Sequence, residues 1–179
     1  MALFLVDNTG TLMPVAIQLY QDPANDNPVF LPTDPYYTWT LAKMWFNNAD
    51  AAYHEAVSHL GFTHLLVESI AVAANRCLSP SHPIFKLLAP HFLYLMAINS
   101  LALVALINTG GVVDEVANIG QVGFVSLNAK VFPEWRLNVE GSLPADLRNR
   151  GVDDPDVLPN YYYRDDAILL HGAIKEYVE

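Results

Sequence analysis

Cysteine, basic charge and charge of any kind are scarce in this chain. Cys77 is the single cysteine among 179 residues, which excludes an intrachain disulfide and gives no sign of an oxidising compartment. Nine Lys and Arg stand against nineteen Asp and Glu, a formal charge of −10. A surface so poor in cations has little with which to neutralise phosphates, so nucleic acid is not expected as a partner. Charged residues make up only 16% of the chain and hydrophobic ones 53%. A free-standing domain of this size must turn much of its surface to water, so the composition reads as one piece of a larger core. No internal repeat or low-complexity tract occurs. Met1–Val6 has neither the basic start nor the small-residue cleavage site of a secretory signal, and the expected location is therefore cytoplasmic.

What is present is a succession of apolar segments. Ala2–Val6 and Thr11–Tyr20 flank Asp7-Asn8-Thr9-Gly10, and Asn and Gly supply the positive φ of a tight turn, so a short β-hairpin is expected to open the chain. The proline-rich stretch Gln21–Tyr37 reads as irregular connection. From Thr38 or Trp39 to about Leu78, Gly61 is the one glycine and proline is missing, so a long helix is expected there. Ser79–Pro83 ends it. His91–Ile107 reads as a second helix, Val112–Asn118 as a short one, and Gly120–Lys130 is ambiguous. A last amphipathic helix is expected from a cap at Asp165 or Asp166 through Tyr177. The apolar run Leu87–Ile107 is long enough to span a bilayer. It contains Pro90, His91, Asn99 and Ser100 and has weak charge flanks, so a buried core helix is the better expectation. The fold class is mainly α with a small N-terminal β hairpin.

Within the long helical segment, His54, His59 and His64 recur every five residues. An α-helix turns about 100° per residue, so side chains five apart point about 140° away from each other and cannot share an ion. A π-bulge, with i→i+5 bonding, would bring them nearly into line, and such bulges occur mostly at functional sites. Spacing alone leaves two readings open: a metal site, or histidines satisfied in an ordinary core. The usual zinc helix pair uses i, i+4; His54-Glu55 begins that pattern, but position 58 is Ser58.

The surroundings carry a resemblance. Met13–Leu19, Asn27–Pro32 and Trp39–Lys43 lie upstream. Downstream come Glu68, His82-Pro-Ile-Phe-Lys-Leu-Leu88, Pro90-His91, Ala97-Ile-Asn99, Thr109-Gly-Gly111 and Tyr162-Tyr-Arg-Asp-Asp166. In that order they resemble the lipoxygenases, most closely the animal arachidonate type, over essentially the whole chain. The resemblance implies a non-haem iron dioxygenase: a hydrogen leaves a bis-allylic carbon of a polyunsaturated fatty acid, O2 adds to the pentadienyl radical, and a lipid hydroperoxide results. It implies that His59 and His64 are iron ligands in a helix containing a π-bulge, with His54 near the metal but not bound to it. It places Leu60, Leu65, Ile98, Ala102 and Leu106 along a substrate cleft, although aliphatics at helical spacing also serve as ordinary core. An alanine at position 102 accompanies S-configured products.

Two departures bear on positional specificity. Ala102-Leu103-Val104 stands where animal enzymes commonly have Ala-Arg-Glu, and Ala51 where an aromatic is frequent; the smaller Ala51 is expected to deepen the pocket. In the family the remaining ligands come from a later helix and a C-terminal isoleucine carboxylate, and membrane contact comes from a β-barrel domain. The expectation is therefore that residues 1–179 form part of a lipoxygenase catalytic domain, without its N-terminal part, the β-barrel domain and the C-terminal ligand helix, and that this chain alone does not turn over. The alternative is a truncated product that binds fatty acid or a partner without catalysis.

Overall fold

A computed structural model describes residues 1–179. Three strands come first, β1 (Ala2–Val6), β2 (Leu12–Gln18) and β3 (Val29–Phe30). The helix α1 (Tyr36–Tyr53) runs directly into a first π segment (His54–Leu65) and then α2 (Leu66–Cys77). After α3 (Pro83–Leu88) and a 3-10 turn at Ala89–Phe92, α4 (Leu95–Ala102) continues into a second π segment (Leu103–Ile107). The chain then forms α5 (Val112–Val116), α6 (Gly120–Val131), a 3-10 turn at Phe132–Glu134, α7 (Leu143–Asn149) and α8 (Tyr162–Val178). The chain divides into two compact units, one made of Met1–Ala49 with Trp135–Glu179 and the other of Asp50–Glu134.

In the first unit β1, β2 and β3 form an antiparallel sheet in that order. The expected turn forms because one Asp7 carboxylate oxygen accepts the N–H groups of Thr9 (2.8 Å) and Thr11 (3.0 Å), while Gly10 adopts φ +78°. The Thr9 hydroxyl donates to the same oxygen at 2.6 Å, and these bonds, the hydroxyl's first, hold the Asp7 carboxyl below its ordinary range. The β1–β2 register slips between Leu3 and Phe4, opposite Ala16 and Pro14; Pro14 has no N–H to offer, and a bulge is where a strand tolerates that. The third strand was not expected in the proline-rich stretch. It forms because buried Asn27 bridges its loop, donating to the Tyr20 and Asp22 carbonyls at 2.9 Å each. Near the C-terminus, buried Arg164 donates through Nη1 to the Leu158 carbonyl at 2.8 Å and through Nε to Asp165 at 2.8 Å. That contact explains a correction: α8 starts at Tyr162, not at a cap on Asp165 or Asp166, because the Asp165 carboxylate faces Arg164 instead of the helix's free N–H groups.

An ion pair in the same unit gives a pH prediction. Arg136 bonds both Glu140 oxygens, and this pairing lowers the Glu140 pKa to about 2. A carboxylate depressed by folding contributes stability above its ordinary pKa and loses it as pH falls through the folded value. The Glu140 side-chain carboxyl resonance is thus expected to titrate near 2, moving back towards 4.5 in Arg136→Gln.

In the second unit, Ala56, Val57, Ile107 and Phe124 form the core, with Leu60, Val113 and Leu127 packed against it. The first π segment is the π-bulge that the resemblance implied: the Leu66 N–H reaches the Gly61 carbonyl, and the Thr63 hydroxyl reaches the Ser58 carbonyl at 2.9 Å, both at i,i+5. Widening the ladder alters the partners of the inner carbonyls, and Asn128 on α6 inserts its amide, donating to the Ala56 carbonyl at 2.7 Å and the Phe124 carbonyl at 3.1 Å. Gly61 is what admits it, since a Cβ there would overlap Asn128 Oδ1.

Gly61→Ala therefore opposes two effects. The helix gains about 1 kcal/mol of propensity, while displacing Asn128 overpacks the contact and strips a partner from the buried Ala56 carbonyl, at about 1–3 kcal/mol for each effect. Net destabilisation is expected in urea unfolding. In an Asn128→Ala background the same change is expected to be neutral or stabilising, because the clash is gone.

The run Leu87–Ile107 departs from expectation. It is neither one helix starting at His91 nor buried. Pro90 falls in the 3-10 turn, Tyr94 takes φ +61°, and α4 begins only at Leu95. Leu101 and Val104 are about 70% exposed (69% and 70%), whereas Leu95, Asn99 and Ile107 face inwards. By length and composition Tyr36–Cys77 and Pro83–Ile107 would reach across a bilayer, a test that core helices of soluble proteins also pass. The ambiguous stretch is the helix α6. The short helices α3 and α7, each with Pro in its first turn, had not been anticipated.

Candidate metal centre and cleft

The first π segment turns two of its histidines to one point. His59 Nε2 and His64 Nε2 stand 3.1 Å apart, with ring centroids 4.9 Å from each other. Each outer nitrogen meets an acceptor: His59 Nδ1 lies 2.7 Å from Glu55 Oε2, and His64 Nδ1 lies 2.9 Å from Asn99 Oδ1. A neutral imidazole carries one proton; with that proton on Nδ1, against these acceptors, each Nε2 would present a lone pair to the other. The His59 contact also keeps the Glu55 carboxyl below its ordinary range. Two facing lone pairs repel unless a cation lies between them. Imidazole nitrogens bind zinc, a comparable first-row ion, at about 2.1 Å, and two such ligands at about a right angle are separated by roughly 3 Å. The pair thus fits a single metal ion.

His54 is exposed and stays outside this pair. His82 has a local task, accepting the Ile84 N–H at the start of α3, and His91 is exposed.

Beside the two imidazoles opens a cavity of about 460 Å³, contained within the Asp50–Glu134 unit. Leu60 and Leu65 line it from the first π segment, Ile98, Asn99 and Ala102 from α4, Leu103 and Leu106 from the second π segment, Val112, Val113 and Val116 from α5, and Phe124 from α6. All five residues expected along a cleft lie here. Glu55 is the one carboxylate on the wall, and neither Lys nor Arg is on it. Ala51, expected to deepen the pocket, is not on the wall; it is exposed on α1. Leu103, standing where a polar residue is frequent, is part of it.

The sequence pointed to no role for Asn99, Glu68, Asn128 or the α5 valines. Glu68 and Asn99 lie inside the motifs that carry the resemblance, and this was their one signal. Asp114 also went unremarked. Its carboxylate accepts the Gly110 N–H at 2.9 Å and the Gln121 N–H at 3.1 Å, which lowers its pKa, and it ties both ends of α5 in place beside the cavity.

The family model described as Lipoxygenase matches residues 1–179. The polyunsaturated fatty acid lipoxygenase ALOX8 of Mus musculus is 45% identical over 170 residues, covering 95% of this chain and 24% of the relative. An anaerobic crystal structure of a LOX variant in complex with arachidonate superposes with a TM-score of 0.90 at 43% identity, over 97% of this chain and 26% of that one. The manganese lipoxygenase of Gaeumannomyces graminis gives a TM-score of 0.81 at 29% identity, over 97% of this chain and 31% of that one. The chain spans about a quarter of the length of the curated relative it matches, at 24%. With the family model covering the whole chain and 45% identity to a lipoxygenase, this chain belongs to the lipoxygenase family.

Proposed function

We propose that this chain supplies the helical half-site and much of the substrate cleft of a non-haem iron dioxygenase of polyunsaturated fatty acids. The observation that carries the reading is the pair of converging Nε2 atoms, 3.1 Å apart, at the wall of an apolar cavity. Imidazole suits iron among other metals, and the likeness to a manganese lipoxygenase makes manganese the other metal to test. A redox-active metal held there would supply an acceptor for the electron that leaves the bis-allylic carbon with its hydrogen.

The chain's own residues do the rest. His59 and His64 hold the metal at the cleft wall, with Glu55 and Asn99 orienting their rings. Leu60, Leu65, Ile98 and Leu106 bury an extended acyl chain, at about 25 cal/mol per Å² of apolar area removed from water. The same side chains exclude water from the pentadienyl radical. With no cation on the wall, the cavity receives the hydrocarbon part of the substrate and leaves its carboxylate outside. The Ala102 methyl shields one end of the radical from O2, which directs oxygen to give an S hydroperoxide.

For the 179 residues alone a second reading has an observation in its favour: no group of three or more His, Cys, Asp or Glu converges, and two imidazoles make a weak, open site. By itself, therefore, the chain binds fatty acid without turnover.

A segment exchange tests both. Replacing the matched stretch of the Mus musculus relative by this chain is expected to give a protein that forms conjugated-diene hydroperoxide of S configuration from arachidonate. Ala102→Gly in that chimera is expected to yield R product. A folded, metal-loaded chimera that forms no hydroperoxide would overturn the proposal.

A further inference from the structure

The two histidines are held by different devices, and the difference is informative. His59 meets its carboxylate directly, but both side chains are half exposed, at 51% and 53%, so water competes for the contact. His64 instead meets an amide. Asn99 is 5% exposed on a helix whose one other polar residue is Ser100, and a buried amide is costly unless its bonds are made. Its Nδ2 donates to Glu68 Oε2 at 2.5 Å and to the His64 backbone carbonyl at 3.2 Å. Both neighbours on that side can only accept, a carboxylate and a carbonyl. The amide therefore cannot turn over without setting its oxygen against two oxygens, and Oδ1 is left facing His64 Nδ1 at 2.9 Å.

We propose that Asn99, locked by Glu68, is a positioning residue that sets the tautomer of His64: it keeps the proton on Nδ1 and Nε2 as a lone pair before any metal arrives. The relay runs from carboxylate to amide to imidazole across three elements, α2, α4 and the first π segment. It polarises the ring through an amide without placing a second full charge against it. An outer partner of this kind usually changes metal affinity by about 10–100-fold when removed. The tautomer part of this inference stands on the hydrogen bonds alone; its effect on metal rests on the proposed role of His59 and His64.

The test uses the 15N-histidine-labelled 179-residue chain, first without metal, at a pH where the rings are neutral. Long-range proton–nitrogen correlation spectra read which ring nitrogen carries the proton. His64 is expected as the Nδ1–H tautomer. Asn99→Leu is expected to shift it towards Nε2–H and Glu68→Met to give a mixture. Glu68→Gln, which keeps an acceptor for the Asn99 amide, is expected to retain Nδ1–H. Far-UV circular dichroism checks the fold of each variant. Mn2+ titration by calorimetry then reads a 10–100-fold weaker Kd for Asn99→Leu. His64 found as Nε2–H in the wild-type chain would overturn the relay, as would an unchanged tautomer and Kd in Asn99→Leu. A wild-type chain with the expected tautomer but no Mn2+ binding would support the relay while removing the metal reading.

Discussion

His64→Ala is expected to reduce Mn2+ or Fe2+ binding to the level of a surface histidine while leaving the helices formed. One of the two converging lone pairs disappears, and a single imidazole has no second donor to hold the ion. The substitution also takes from Asn99 Oδ1 its one hydrogen-bond partner, at about 1–3 kcal/mol for a buried polar group left unsatisfied. His59→Ala makes a useful contrast. His59 and Glu55 are half exposed, and an exposed pair of that kind contributes about 0–1 kcal/mol. Equal loss of metal with unequal loss of stability is therefore expected, larger for His64. Calorimetric metal titration and urea unfolding of the two variants together check this. Metal binding that survives either substitution would contradict the assignment of the pair.

Phe124→Ala is expected to have the largest effect on stability. Phe124 is 6% exposed, packs in the core cluster with Ala56, Val57 and Ile107, and forms part of the cavity wall. Truncating such a ring typically costs about 3–5 kcal/mol, of which part is the void left behind. Because that void joins an existing cavity, the variant is also expected to accept bulkier ligands than the parent. Chemical denaturation measures the first effect, and displacement of a bound fluorescent fatty acid by bulkier ligands the second. A loss below 1 kcal/mol would mean that the wall collapses onto the missing ring and that the cavity is not a rigid feature.

How much of this could be read from the chain depended on whether the cause was local. The five-residue spacing of His54, His59 and His64 raised a π segment as the geometry that a shared ion would need, and the family resemblance turned it into an expectation. No such marker sits at Leu103–Ile107, an unbroken aliphatic run, and the second π segment could not be foreseen. The turn at Asp7–Gly10 was legible because its bonds lie within five residues. By contrast, Asn99 joins Glu68 and His64 across 31 and 35 positions, and Asn128 reaches Ala56 across 72; such partners have no local signature. Hydropathy misjudged Leu87–Ile107 because it reports what a segment is made of, not what covers it. The histidine pair and the five cleft aliphatics were indicated by the family resemblance, since spacing left both metal and ordinary core open.

His59 and His64 are expected to bind one metal ion together, and the other histidines none. The measurement is the broadening of the histidine ring resonances of the 179-residue chain by substoichiometric Mn2+, whose unpaired electrons quench nearby nuclei first. The His59 and His64 rings are expected to broaden together at the lowest Mn2+ additions, before His82, His91 and His171. Uniform broadening of all the histidines, or selective broadening at any other one, would contradict it.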